Sequence, residues 1–191
     1  MSTQSLVSIL IPVYNRAAII AETLNSALAQ TYANIEVVIV DNASVDGTWD
    51  IICDYAKTDP RVRAFRNQEN LGPVRNWLRC VEEAKGEFAK ILWSDDLIAP
   101  EFLTKTIPYF EDPRVGFVYT ATKIFTVRPD DGVLSYCAGA SGVYDAENFI
   151  KGDFNAKNYP LSPGCAIFYL KDVKNNLLLQ VPNSVLSLIH I

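Results

Sequence analysis

Residues 6–16, LVSILIPVYNR, begin with six residues of nearly unbroken apolar character and end in a proline, an aromatic ring, an amide and a cation. An apolar run of that length reads as a strand buried on both faces, and the residues from Pro12 to Arg16 read as the turn that leaves it. Ile20, Leu24, Ala27 and Leu28 then follow at helical spacing. The same unit recurs. Residues 36–40 lead to Trp49, Ile52, Cys53 and Ala56, and residues 62–65 lead to Val74, Trp77, Leu78, Val81 and Ala84. Residues 88–93 precede a helix expected to open at Pro100, with Phe102, Leu103, Ile107 and Phe110 as its apolar set, and 116–119 read as a further strand. This alternation predicts an α/β fold, a mostly parallel sheet with helices on both faces. Ligands of such sheets lie beyond the carboxyl ends of the strands.

The chain has 191 residues, 49% hydrophobic, enough for a substantial core. Its formal charge of −5 is mixed along the sequence, which argues against a nucleic-acid polymer as partner and leaves a mononucleotide open. No stretch reaches the roughly 20 apolar residues of a membrane span, and the start lacks a signal-peptide pattern, so a cytoplasmic location is expected. Cys53, Cys80, Cys137 and Cys165 form no C-x-x-C pair and are expected as reduced thiols. Order is expected to weaken after Phe125, through a turn at Pro129–Gly132 and a loop from Ala138 to Gly142. It should return as a strand over 165–170 and a short helix near 172–179. Residues 186–191, LSLIHI, are the in-frame translation of CTGTCTCTTATACACATC, a transposon end used in sequencing libraries. They are expected to be an artefact. The chain's single histidine, His190, lies there, which leaves no histidine for a triad or a metal site in the rest.

Four strand ends carry residues able to do chemistry. In ILWSDDLIAP, 91–100, Asp95 and Asp96 stand side by side where an apolar strand ends. Adjacent carboxylates at a partly enclosed site repel, and a hard divalent cation with oxygen ligands resolves the conflict. A solvated acidic turn is the alternative reading. Tyr14 offers a ring to a nucleobase, and Arg16 near a helix start suits an anion lying between the two. Asp41 and Asn42, at the end of the second strand, are acceptors for a base or ribose, whereas Ser44 or Asp46 is expected to cap the next helix. Asn70, Gly72 and Pro73 read as turn chemistry, and Arg75 as a cation awaiting a phosphate or carboxylate. The first loop has no G-x-G-x-x-G, which disfavours a dinucleotide-binding dehydrogenase.

Taken in order, VSILIPVYNR, VVIVDNASVDGT, NLGPVRNW, AKGEF and ILWSDD resemble the successive motifs of family 2 glycosyltransferases with the GT-A fold, over about residues 5–125. SPGCAIFYL, 162–170, is similar to the segment such proteins place beside the acceptor. The resemblance implies a nucleotide-sugar-binding subdomain over 1–125 and a partial acceptor-side subdomain over 126–185. It also implies inverting transfer from a nucleotide-diphosphate sugar to a glycan or lipid-linked acceptor, a Mn²⁺ or Mg²⁺ ion, and a role in bacterial surface-polysaccharide synthesis, in the cytoplasm or at the inner face of the membrane. Pro12, Tyr14, Asn15, Arg16, Asp41, Asn42, Arg75 and Asp95 would meet the donor, Asp96 the metal, and Pro163, Gly164 and Cys165 the acceptor side. Many members have a second aspartate where this chain has Asn42, which weakens the expectation of a uracil contact. The catalytic base is expected beyond the end of the chain, and a non-catalytic nucleotide-sugar binding module is the alternative function.

Overall fold

The computed structural model describes residues 4–126, 129–135, 141–143 and 162–177. Strands β1 (Val7–Val13), β2 (Ile35–Asp41), β3 (Val62–Arg66) and β4 (Phe88–Ile91) pair in parallel in the order β3-β2-β1-β4. Three further strands, β5 (Phe117–Tyr119), β6 (Thr122–Ile124) and β7 (Val133–Ser135), come after them in the chain, β6 and β7 forming a separate antiparallel pair. Strand β8 (Ala166–Tyr169) then inserts between β4 and β5, antiparallel to both, and completes a six-stranded sheet.

Helices α1 (Ile20–Leu28), α2 (Thr48–Thr58) and α4 (Phe102–Thr106) cover one face, and α3 (Pro73–Glu83) covers the other. The pleat divides β1 accordingly: Val7, Ile9, Ile11 and Val13 pack with Ile20, Leu24, Ile52 and Leu103, while Leu10 packs with Trp77, Cys80 and Val81. Burying side chains of this size contributes about 1.5–3 kcal/mol each, which holds the helices on the two faces, while the parallel direction of the strands puts the loops that follow them at one end.

Several boundaries move. Pro12 is not the start of the first loop, because β1 continues to Val13 and pairs Pro12 with Val40. Pro100 does not open the fourth helix; it precedes the N-cap, Glu101. That helix also changes to 3-10 geometry over Ile107–Glu111, where Pro108 has no amide hydrogen to donate. The turn expected at Pro129 is a 3-10 turn, Pro129–Asp131, inside the β6–β7 pair. The last expected strand begins as a 3-10 turn, Pro163–Cys165, and helical structure then starts at Leu170. Cys80 and Cys165 are buried free thiols and Cys53 is half-buried; burial pushes the Cys80 thiol far up. Cys137, residues 144–161 and the tail at 186–191 lie outside the described residues.

Candidate functional site

The loops after β1, β2 and β4 and the start of α3 meet at the carboxyl end of the sheet, where the parallel order of β2, β1 and β4 puts them side by side. The first loop is stitched to the second. Asn15 donates its amide hydrogen to Ser44 Oγ at 2.9 Å and accepts from the Val45 amide at 3.0 Å through Oδ1. The Arg16 amide donates to Thr48 Oγ1 at 2.8 Å, and the Ala17 amide to Asp46 Oδ2 at 3.0 Å. The N-cap of α2 is Gly47 and neither Ser44 nor Asp46, contrary to expectation, although Asp46 Oδ1 also accepts from the Thr48 amide at the first helical position. Ser44 instead holds the first loop. Asn15 and Ala43 adopt positive φ, 49° and 63°, to make these contacts. Tyr14, between Val13 and Asn15, is left 41% exposed, free to offer a ring face.

The acidic pair lies one loop away. Asp95 Oδ2 is 3.5 Å from Arg16 Nη2, so the anion facing Arg16 is the protein's own carboxylate. Asp96 stands beside it, solvent-exposed at its surface yet crowded by protein. Desolvation first, and then the charge of Asp95, push its carboxyl above the usual aspartate range, with the buried Lys90 ammonium opposing. Among the described residues no three ligating side chains gather around a point, so these residues offer a metal the Asp95 and Asp96 carboxylates. That sparse oxygen set, with an acid strained towards protonation, fits Mg²⁺ or Mn²⁺, which fill the remaining positions with phosphate and water. It does not fit zinc.

Asp41 and Asn42 face inward, contrary to the expectation that they present acceptors to a ligand. Asp41 is fully buried, accepting from the Ser44 amide at 3.1 Å and pairing with Arg66 Nε at 3.1 Å. Asn42 Oδ1 accepts from Asn67 Nδ2 at 2.8 Å and the Leu71 amide at 3.0 Å, while its Nδ2 donates to Asn70 Oδ1 at 2.8 Å. A carbonyl oxygen with both lone pairs engaged has no capacity left for a base. Asn76 extends this cluster, accepting from Asn67 Nδ2 at 2.9 Å and donating to the Val40 carbonyl at 3.1 Å. These side chains join the end of β2 to the loop after β3 and to α3.

Arg75 is exposed in the first turn of α3, with no carboxylate at ion-pair distance among the described residues. Gly72, at φ 81°, and Pro73 at the first helical position set that helix start. On the far side of the acidic pair, the Pro163–Cys165 turn packs against the extension of β4. Ser162 Oγ accepts from Trp93 Nε1 at 3.1 Å and from the Gly164 amide at 3.2 Å, and Cys165 Sγ lies 3.0 Å from Thr122 Oγ1. Lys90, Trp93 and Ser162 join this turn to the strand, and of the three only Lys90, a lysine inside an apolar strand, stands out in the sequence.

Residues 8–176 match the family model described as Glycosyl transferase family 2. The chain is 34% identical over 144 residues to the Escherichia coli UDP-Glc:alpha-D-GlcNAc-diphosphoundecaprenol beta-1,3-glucosyltransferase WfaP, a match covering 69% of this chain and 57% of that protein. It spans about half the length of the relatives it matches. The fold superimposes on S. aureus TarS 1–349 in complex with UDP with a TM-score of 0.68 and 23% identity, over 91% of this chain and 49% of that one. The mannosyltransferase PcManGT from Pyrobaculum calidifontis, in complex with GDP-Man and Mn²⁺, gives a TM-score of 0.58 at 30% identity, over 68% of this chain and 38% of that one.

Proposed function

The chain belongs to glycosyl transferase family 2, and on that premise we propose that it carries the donor site of an inverting glycosyltransferase of bacterial surface-polysaccharide synthesis, working on the cytoplasmic side of the membrane. The donor is a nucleotide-diphosphate sugar and the acceptor a glycan or lipid-linked hydroxyl. The observation that carries this reading is the adjacency of Asp95 and Asp96 at the end of β4, reached by Arg16 from the loop that exposes Tyr14.

In this assignment Tyr14 stacks on the base, a contact worth about 1–3 kcal/mol in single-strand binders. Asp95 turns to the ribose once Arg16 is drawn towards the diphosphate, and Arg75 meets the same diphosphate beside the positive end of α3. Asp96 holds the divalent ion. A bound Mg²⁺ or Mn²⁺ would offset the charge that develops on the departing nucleoside diphosphate. The Pro163–Cys165 turn borders the acceptor, whose hydroxyl oxygen attacks the anomeric carbon from the face opposite the leaving group and inverts it as the bond to the nucleoside diphosphate breaks, its proton passing to a carboxylate base that is not assigned among the described residues. The relatives supply support of two kinds: a WfaP-type donor named with UDP, and a neighbour holding GDP-Man with Mn²⁺.

Calorimetric titration of UDP- and GDP-sugars with and without Mn²⁺ tests the assignment. Asp96→Ala is expected to weaken Mn²⁺-dependent binding by at least about 100-fold, because it removes a direct ligand, whereas loss of an outer-shell partner alone costs about 10–100-fold. Equal affinity of the two proteins in the presence and absence of Mn²⁺ would sink the reading.

A further inference from the structure

All four residues of β4, Phe88, Ala89, Lys90 and Ile91, are buried. A lysine in that company carries a desolvation cost that an apolar residue would not. Lys90 is 3% exposed and, among the described residues, has no carboxylate at ion-pair distance. Its ammonium instead donates to the Gly164 carbonyl on the Pro163–Cys165 turn and lies over the Phe102 ring, 4.9 Å from the centroid. Just beyond the turn, β8 pairs with β4 and sets Ile167 opposite Lys90. Trp93, three residues further along, makes the second link through Ser162 Oγ. The fit there is close: a Cβ at Gly164 would stand 2.7 Å from Trp93 Nε1. Two side chains of one segment therefore grip the turn, and that segment runs on into Ser94, Asp95 and Asp96.

We propose that Lys90 is a positioning residue: its buried ammonium ties the Pro163–Cys165 turn to the strand leading into Asp95 and Asp96, and so sets how the acceptor-side turn stands relative to the acidic pair. This rests on the reading of the crevice given above, with the turn on its acceptor side. The groups that face Lys90 are few. Burial draws its pKa down to about 8, against the opposing influence of the Cys165 thiol on the turn and the Asp96 carboxyl after β4. α4 presents the Phe102 ring and β8 presents Ile167, neither of which titrates. Replacing a buried charge by an apolar side chain of similar length is often neutral or stabilising. A lysine that serves the core and a lysine that places a turn thus respond differently to the same substitution.

Lys90→Met in the full chain separates them, read by thermal melting and by residue-resolved amide hydrogen exchange. The expected result is a midpoint equal to or above that of the wild type, exchange at Gly164 and Cys165 faster by about tenfold or more, and unchanged exchange in β1 and β2. In the wild type, protection of the turn, corrected for intrinsic exchange, should fall severalfold between about pH 7 and about pH 9 as the charge-assisted bond weakens, with a flat profile in Lys90→Met. Unchanged exchange at the turn would remove the tether, and a flat wild-type profile or a lowered midpoint with faster exchange throughout the sheet would reduce Lys90 to a core residue; each overturns the proposal. Mn²⁺-dependent binding of UDP and GDP, measured on both proteins, isolates the underlying reading. If neither protein binds either nucleotide, the donor-site assignment fails while the result at the turn stands.

Discussion

Glu36 and Asp96 are carboxylates at opposite ends of one sheet, and their surroundings push them in opposite directions. Glu36, at the amino-terminal end, is buried, which alone would raise its pKa. Hydrogen bonds from Ser8 Oγ at 2.6 Å, the Lys85 amide at 2.6 Å and Arg63 Nη1 at 2.7 Å outweigh that and hold it low. Asp96, at the carboxyl end, has desolvation and a like-charged neighbour and is held high. The distribution of unmet donors follows the same division. The buried side-chain nitrogens with no hydrogen-bond partner among the described residues are Arg16 Nε in the first loop and Trp77 Nε1 on α3, beside Trp93 at a centroid distance of 6.4 Å. The acid at the amino-terminal end is satisfied internally, whereas the carboxyl end combines a satisfied cluster around Asp41 and Asn42 with an unmet donor on Arg16. Unmet polar groups concentrated at one end of a fold mark where binding energy can be gained.

The largest expected effect is at the satisfied end. Glu36→Ala strands Arg63, Ser8 and the Lys85 amide together and should lower stability by about 3 kcal/mol in urea denaturation, the cost of breaking a buried pair. The pH dependence carries the sign. The Glu36 pKa is lowered on folding, so its stabilising share is present above the ordinary glutamate value and is lost as pH falls through the folded one. A variant as stable as the wild type would show that the hydrogen bonds and ion pair of Glu36 contribute no net stability.

Asp96 should behave in the reverse sense. Its pKa is raised on folding, so its charge is disfavoured in the native state, and the fold loses stability as pH rises from the ordinary aspartate value through the raised one. Asp96→Asn is therefore expected to match or exceed wild-type stability at neutral pH, by no more than about 1 kcal/mol because the side chain still reaches water. The excess should vanish in acid. Loss of stability in Asp96→Asn at pH 7 would place Asp96 with Glu36, as a structural acid.

The two ends were not equally legible in the sequence. Continuous apolar strands and 3.6-residue periodicity gave the parallel sheet and its two covered faces, and the sheet then placed Tyr14, Arg16, Asp95 and Asp96 at a common edge. What the sequence could not give was the direction of side chains whose partners lie far away in the chain. Asp41 and Asn42 follow a strand as ligand-binding acceptors would, yet their partners, Arg66, Asn67, Asn70 and Leu71, come from the end of β3 and the loop that follows it and turn them inward. Glu36 likewise reads as an isolated charge at a strand start until Ser8 and Arg63 arrive from the adjacent strands. Local pattern reports burial well and hydrogen-bond direction poorly.

Backbone strain falls on the same side of the division, and it gives the smallest expected effect. Among the described residues, the non-glycine positions at positive φ are Asn15 and Ala43, both in the loops at the carboxyl end. Asparagine tolerates that region better than most residues, but alanine there sets its Cβ against the following carbonyl, at a cost of roughly 1–2 kcal/mol. Ala43→Gly relieves the strain and returns some of the gain as extra freedom of the unfolded chain, about 0.5–1 kcal/mol. A net stabilisation below about 1 kcal/mol is therefore expected in chemical denaturation. The kink at Ala43 lets Ser44 reach both the Asp41 carboxylate and the Asn15 amide. If Ala43→Gly instead destabilised the protein, the loop would be held by Ala43's own packing, and the strain would have no part in what separates the two ends.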